Sequence, residues 1–269
     1  MPLSPLPLGT VPELTDAAAK PPGGLPDKDG LRDRVDDLAE RTAKLQTALF
    51  AEGTRSLLVV LQGRDAAGKD GVVRHLFGRL NPMGLELTSF KVPTALELSH
   101  DFLWRVHHAV PPKGKIGIFN RSHYEDVLVV RVHGLVPATV WGARCDQING
   151  FERHLTENGV TILKFCLHIS REEQRKRLLA RLDDPEKNWK FNADDLRERD
   201  RWDAYTEAYA DALSRTSTTW APWYVVPADR KPARDLLIGE VVLEALERMK
   251  PAYPPVPGEV AELKRVLRA

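Results

Sequence analysis

Apolar runs of strand length alternate with segments of helical spacing along most of this chain. Leu57-Leu58-Val59-Val60-Leu61 is continuously apolar, and Val72, Val73, Leu76, Phe77 and Leu80 follow at helical intervals. Val35, Leu38, Leu45 and Leu49 predict a helix from about Leu31 to Phe50. The same reading gives strand 57–62, helix 69–80, strand 86–92, helix 94–109, strand 115–119 and, after a polar cluster Asn120–Asp126, a long helix 137–158. Strand 160–167, helices 171–182 and 193–214, strand 223–226 and helix 233–249 complete the series. Strands alternating with long helices imply crossover connections and a mostly parallel sheet.

The junction between the first strand and its helix carries the most informative chemistry. Gly63-Arg64-Asp65-Ala66-Ala67-Gly68-Lys69-Asp70 reads G-x-x-x-x-G-K, with Asp70 where Ser or Thr is expected. A strand, a glycine turn with a lysine and a helix start together make an anion site. Gly63, Ala66, Ala67, Gly68, Lys69 and Asp70 are the candidate phosphate-binding residues, and Lys69 would spread the charge of a moving phosphoryl group. Asp65 reads either as a turn-stabilising aspartate or as a metal or acceptor ligand. The predicted fold class is thus α/β, a P-loop kinase-like three-layer sandwich: a five-stranded, mostly parallel sheet flanked by helices, with a helical lid.

Two further clusters fit that frame. The strand Ile116–Phe119 ends in Asn120-Arg121-Ser122-His123-Tyr124-Glu125-Asp126, where a phosphate-loop enzyme carries its metal carboxylate. Arg121 can grip phosphate in a bidentate fork, Glu125 and Asp126 are the nearest carboxylates, and His123 has no partner at a nucleophile or metal spacing, so a structural role is expected for it. Further along, Arg177 and Arg181 share a helix face, and Lys187 and Lys190 interleave with Trp189 and Phe191. Charge alone makes this a solvated face; its place in the order of elements, at about 171–200, favours a lid. Trp220, Trp223 and Tyr224 read as core packing before base stacking, and His107 and His108 as ordinary helix histidines.

Composition narrows the partners. The net charge is +1, from 39 Lys+Arg and 38 Asp+Glu over 269 residues, so a generally basic surface for nucleic acid is not indicated. No apolar run has the length of a membrane span, and no signal sequence is evident. Cys145 and Cys166 have no paired spacing, which fits a reducing compartment and a cytoplasmic location. Residues 1–30 carry Pro2, Pro5, Pro7, Pro12, Pro21, Pro22 and Pro26, the composition of an extended or mobile arm. The expected organisation is this arm, a phosphotransferase domain over 31–250 and a proline-broken tail over 251–269.

Gln62–Gly71, Phe119–Val132 and Asp184–Phe191 together resemble the polyphosphate kinase 2 family, and the N-R-S-H-Y-E-D form resembles its class III subgroup. The likeness runs from about residue 31 to 249. It implies a thymidylate-kinase-like phosphate-loop fold and transfer of phosphate from inorganic polyphosphate to AMP or ADP, giving ADP and ATP. It also implies magnesium (with manganese as an alternative) and a homo-oligomer, dimer or tetramer. By position, Asp65 and Lys69 match the family's loop residues. Asn120, Arg121, Glu125 and Asp126 match its acceptor and metal cluster, with Asp126 and Asp65 as metal ligands, and Glu125 marks the subgroup. Arg177, Arg181, Lys187 and Lys190 would lie on the lid. Gly63 and the proline-rich arm depart from the shared pattern. The rival readings are an ATP-dependent nucleotide kinase of the same fold and a binding module without catalysis.

Overall fold

Five strands form one sheet in the order β2-β3-β1-β4-β5, every neighbouring pair parallel. They are β1 (Ser56–Gly63), β2 (Leu85–Ser89), β3 (Ile116–Asn120), β4 (Val160–His168) and β5 (Trp223–Pro227). This computed structural model describes residues 3–256 and 258–269, the side chain of Lys190 excepted. β1 is buried along its whole length, which is why it reads as an unbroken apolar run. Its side chains alternate between two cores. Leu57, Val59 and Leu61 pack under α1 (Lys28–Glu52) and, C-terminal to β5, the helix Lys231–Met249. Leu58 and Val60 pack on the other face, beneath α5 (Glu125–Val132), α6 (Ala138–Glu157) and, further along, the helix Trp202–Thr216. The result is the expected three-layer sandwich.

Between β1 and β3 the helices are shorter than periodicity predicts. α2 (Lys69–Val72) passes directly into a π-turn at Val73–Phe77. The expected helix 94–109 is two pieces, α3 (Ala95–Leu98) and α4 (Trp104–Ala109). Ser99 Oγ donates to the Leu96 carbonyl at 2.7 Å and Asp101 Oδ1 accepts from the Leu103 amide at 2.9 Å, so local side chains take the backbone groups that a continuous helix would use. The region expected as helix 193–214 likewise breaks at Arg201, giving α8 (Asp194–Asp200) and α9 (Trp202–Thr216). Arg201 donates to the Val132 carbonyl at 3.0 Å. α7 (Arg171–Leu182) falls where expected, α10 (Lys231–Met249) starts earlier, and the tail ends in α11 (Val260–Arg268). Among the described residues no helix is long and apolar enough to cross a membrane. Residues 3–27 form no helix or strand, turn at 8–9 and 15–19, and are hydrogen-bonded to the β5 side of the sheet.

One buried polar network fixes the turn after β3. Lys164 of β4 donates to Glu152 Oε2 at 2.6 Å, to Tyr124 Oη at 2.7 Å and to the Thr216 carbonyl at 2.7 Å. Glu152 Oε1 accepts from Tyr124 Oη at 2.9 Å and faces His123 Nε2 at 3.2 Å. Lys164 and Glu152 are fully enclosed, and Trp223 closes the network from β5. Burial opposes ionisation of Glu152, but Lys164 and His123 outweigh it and hold the carboxyl below its ordinary range. Removing one member strands the others without water. Glu152→Ala should therefore cost about 3–5 kcal/mol in urea unfolding, as for other broken buried ion pairs; a loss under about 1 kcal/mol would show the network to be incidental.

Candidate functional site

The carboxyl ends of β1 and β3 lie side by side, with Leu61 in register with Asn120. Parallel sheets bind ligands at such an edge. After β1 the chain turns through Ala66 (φ 62°) and Gly68 (φ 104°) into α2. Ala66 is a non-glycine residue in the left-handed region, which surrounding contacts must enforce. They come from beneath. Arg177 donates to the carbonyls of Ala66 and Ala67 at 3.0 and 3.1 Å, and to those of Ala228 and Asp229 at 2.6 and 2.9 Å. Gln174 donates to the Asp65 carbonyl at 3.0 Å, and Arg234 to that of Ala67 at 3.2 Å. Carbonyl oxygens would repel a phosphate, and here they are engaged on the buried side of the loop.

Sequence periodicity set Arg177 on the lid face beside Arg181. The structure instead buries it to 8% exposure, with its guanidinium committed to the loop backbone and to Glu173. It is a clamp on the phosphate loop, because backbone carbonyls saturate the fork it would need for an anion. Arg234 was not foreseen, being one of several charges along an amphipathic helix far from the loop in sequence. It is 1% exposed and paired with Asp235. The signal for it lay in the glycines: a Cβ at Gly68 would overlap the Arg234 guanidinium, and one at Gly71 would stand 3.0 Å from it.

Four of the six expected phosphate-binding residues, Ala66, Gly68, Lys69 and Asp70, share a pocket. Asp65, Ala66, Gly68, Lys69 and Asp70 line it together with Ser89, Asn120, Arg121 and Arg181. Gly63 lies at the loop's base, and Ala67 is buried against the core. Lys69 donates to the Gly63 carbonyl at 2.6 Å and to that of Arg64 at 3.3 Å. Asn120 donates to Asp70 Oδ1 at 2.8 Å, joining the end of β3 to the start of α2. Arg121, also left-handed at φ 62°, reaches Asp65 Oδ1 at 2.6 Å and Glu125 Oε2 at 3.3 Å. Burial works against the Arg121 charge, but Glu125 and Asp65 raise its pKa further. Gln62 donates to the other Glu125 oxygen at 3.0 Å.

Other expected residues stand elsewhere. The Asp126 carboxylate lies between Arg144 at 3.3 Å and Arg105 at 3.8 Å, and lines neither the loop pocket nor the cavity beside it. Burial pushes its carboxyl up despite those arginines. Asp126 is one residue beyond Glu125, which on a helix turns it about 100° away from the site. Arg181 lines the pocket while facing Asp195 at 3.6 Å. Lys187 pairs with Asp184 on the surface, and the Lys190 side chain falls outside the described residues. His123 is structural, as expected, and Trp223 is core. Next to the loop pocket a second cavity is bounded by Arg121 and Glu125 and walled by Leu128, Val129, Trp202, Tyr205 and Tyr209. Arg64 stacks on Trp202 at 3.8 Å. The aromatic wall was not foreseen, because the segment reads simply as an amphipathic helix.

Among the described residues no group of three or more His, Cys, Asp or Glu side chains could hold a metal ion. Asp65 and Asp70 nonetheless put carboxylates into the pocket that Lys69 lines. A hard divalent cation such as magnesium is commonly held by one or two carboxylates plus substrate phosphates, so this donor set fits one.

Burial pushes the Lys69 ammonium down from 10.5 to about 8, with Arg121 adding to the effect and Asp65 opposing it. A base whose pKa is lowered on folding costs stability while it is charged. The cost is present below the folded pKa and fades as pH rises towards the unfolded one. Relative to Lys69→Met, the wild-type protein should therefore gain stability between about pH 8 and 10.5, by at most about 1.4 kcal/mol per pH unit. Denaturant unfolding of both proteins at several pH values measures this, and a pH-independent difference would contradict it.

Comparison with known proteins agrees with this geometry. A family model described as "Polyphosphate kinase 2 (PPK2)" matches residues 26–254. The AMP/ADP-polyphosphate phosphotransferase of Meiothermus ruber is 55% identical over 217 residues, 81% of each chain. The ADP-polyphosphate phosphotransferase of Rhodopseudomonas palustris is 49% identical over 227 residues, 80% of this chain and 78% of that one. The crystal structure of polyphosphate kinase 2 from Arthrobacter aurescens TC1 superposes with a TM-score of 0.89 at 45% identity, covering 92% of this chain and 89% of that one. On this family match and these similarities, the chain belongs to the polyphosphate kinase 2 family.

Proposed function

We propose that this chain transfers the terminal phosphate of inorganic polyphosphate to AMP and ADP, forming ADP and ATP. The observation that carries the reading is one constellation: Lys69 on the phosphate loop, flanked by Asp65 and Asp70 and faced by Arg121 across the ends of β1 and β3. The donor chain lies along the loop at Lys69. The acceptor occupies the adjoining cavity, its phosphate towards Arg121 and Glu125 and its base against the aromatic wall of Trp202, Tyr205 and Tyr209. The names of the Meiothermus and Rhodopseudomonas relatives, one AMP/ADP and the other ADP, support this substrate class.

The acceptor's phosphate oxygen is ionised near neutral pH, since phosphate monoesters have a second pKa of about 6, so no strong general base is required. That oxygen bonds to the terminal phosphorus of the chain. The bridging P–O bond breaks, and the shortened chain leaves with the electron pair. The barrier is repulsion between two polyanions. Lys69 and Arg121 oppose it, and Arg181 adds charge from the lid at about 171–200. In the structure Lys69 is held by carbonyls and Arg121 by Asp65 and Glu125. Phosphate oxygens replace those partners when substrate arrives, and this frees Asp65 for a cation. Asp65 and Asp70 would hold magnesium or manganese. The metal would neutralise phosphate charge in the transition state.

Residues 31–250 make up the phosphotransferase domain, with 1–30 as an arm and 251–269 as a tail. The buried, unpaired thiols Cys145 and Cys166 suit a cytoplasmic protein. Assembly into a homo-oligomer, dimer or tetramer, agrees with the exposed Leu87 on the outer edge of β2. The deciding assay supplies purified protein with AMP or ADP, magnesium and long-chain polyphosphate, and reads ATP formed. Activity is expected with polyphosphate and lost on chelation of the metal. Lys69→Ala should lower kcat by about a hundredfold or more while leaving the fold intact. Phosphorylation of AMP from ATP but not from polyphosphate would overturn the proposal.

A further inference from the structure

We infer that the N-terminal arm is a strap that positions the phosphate loop, with Asp16 as its positioning residue. Residues 1–25 of the arm lie ahead of the family match, which begins at residue 26. The arm's first stretch is tied to β5 and to α9: the Leu6 amide donates to the Trp223 carbonyl at 2.7 Å and the Gly9 amide to the Ser214 carbonyl at 2.9 Å. The contact with Trp223 lies on β5, the edge strand of the sheet, and would suffice for an arm that only shields that edge.

Residues 15–19 do something different. The Thr15 carbonyl accepts from His168 Nε2 at 2.7 Å, at the end of β4. A carbonyl can only accept, so the imidazole carries its proton on Nε2. Asp16 Oδ1 accepts from the Arg171 amide at 3.1 Å, one of the donors that the first turn of α7 leaves without an intrahelical partner. The carbonyl of the fully buried Ala19 accepts from the Asp229 amide at 3.1 Å, just past β5. The arm thus grips the two connections that follow β4 and β5.

Those connections are the footing of the clamp under the loop. The Ala228 amide donates to the His168 carbonyl at 2.8 Å, and Asp229 Oδ1 accepts from the Ser170 amide at 2.8 Å. Arg177 joins the carbonyls of Ala228 and Asp229 to those of Ala66 and Ala67, and Gln174, one turn into α7, holds the Asp65 carbonyl. An unbroken series of hydrogen bonds therefore runs from Thr15, Asp16 and Ala19 to the left-handed turn that cradles phosphate. The loop conformation is strained at Ala66, so it depends on how well this footing is held.

Two variants and two readouts test the strap. Asp16 is exposed, so its replacement leaves the core untouched. Asp16→Ala should raise KM for polyphosphate about three- to tenfold, the scale of one lost hydrogen bond, with kcat within about twofold of wild type. It should also speed amide hydrogen exchange in residues 64–70. Asp16→Asn keeps the acceptor oxygen and should restore both. Removing a negative charge would by itself strengthen binding of a polyanion, so a raised KM cannot arise from charge. The kinetic readout rests on the proposed function, whereas loop exchange does not. A wild-type protein inactive with polyphosphate would overturn that function and leave the exchange result to decide the strap. Wild-type loop exchange in Asp16→Ala, or Asp16→Asn behaving like Asp16→Ala, would overturn the strap.

Discussion

The ion pair between Lys164 and Glu152, enclosed beneath the sheet edge, is the constraint on which the site depends. A charge pair without water is stable only if its remaining donors and acceptors are filled. Tyr124, His123 and the Thr216 carbonyl fill them. Tyr124 and His123 belong to the same short turn as Arg121 and Glu125. Anchoring two of its residues downwards fixes the direction of the other two, and it tolerates the left-handed backbone at Arg121. The catalytic edge is thus assembled from below: β3's turn on the buried pair, the phosphate loop on Arg177 and Arg234.

Charge around the pocket is balanced by partners within the chain. Asp65 and Glu125 hold Arg121, Asn120 holds Asp70, and backbone carbonyls hold Lys69. Each group that would meet phosphate already has a partner, so none bears the full cost of an unpaired charge. Substrate binding is then an exchange of partners. Asp70, in place of the usual loop hydroxyl, adds a second carboxylate to the pocket beside Asp65.

Much of this was legible in the sequence. β1, the glycine turn and β4 are short-range patterns, and the parallel sheet follows from their alternation with helices. The pocket residues Asp65, Lys69, Asp70, Asn120 and Arg121 fall together because the loop and the turn after β3 end adjacent strands. The long helices expected at 94–109 and 193–214 were less legible, since Ser99, Asp101 and Arg201 divert local hydrogen bonds in ways that apolar spacing does not record. Direction was the other weakness. Periodicity puts Arg177 and Arg181 on one helix face, yet only one of them is committed to buried carbonyls. Adjacent Glu125 and Asp126 point to different neighbours. Arg234 was hidden because its role shows only once two distant segments are packed.

The central claim is that phosphate displaces Arg121 from its carboxylates while the buried network beneath stays in place. A crystal structure of the chain with AMP, magnesium and a short polyphosphate tests it most directly. The account predicts the Arg121 guanidinium on a phosphate oxygen and withdrawn from Asp65, Lys69 turned from the Gly63 carbonyl to the donor chain, and the Lys164–Glu152 contact unchanged. Phosphates bound with Arg121 still paired to Asp65 and Glu125 would contradict it.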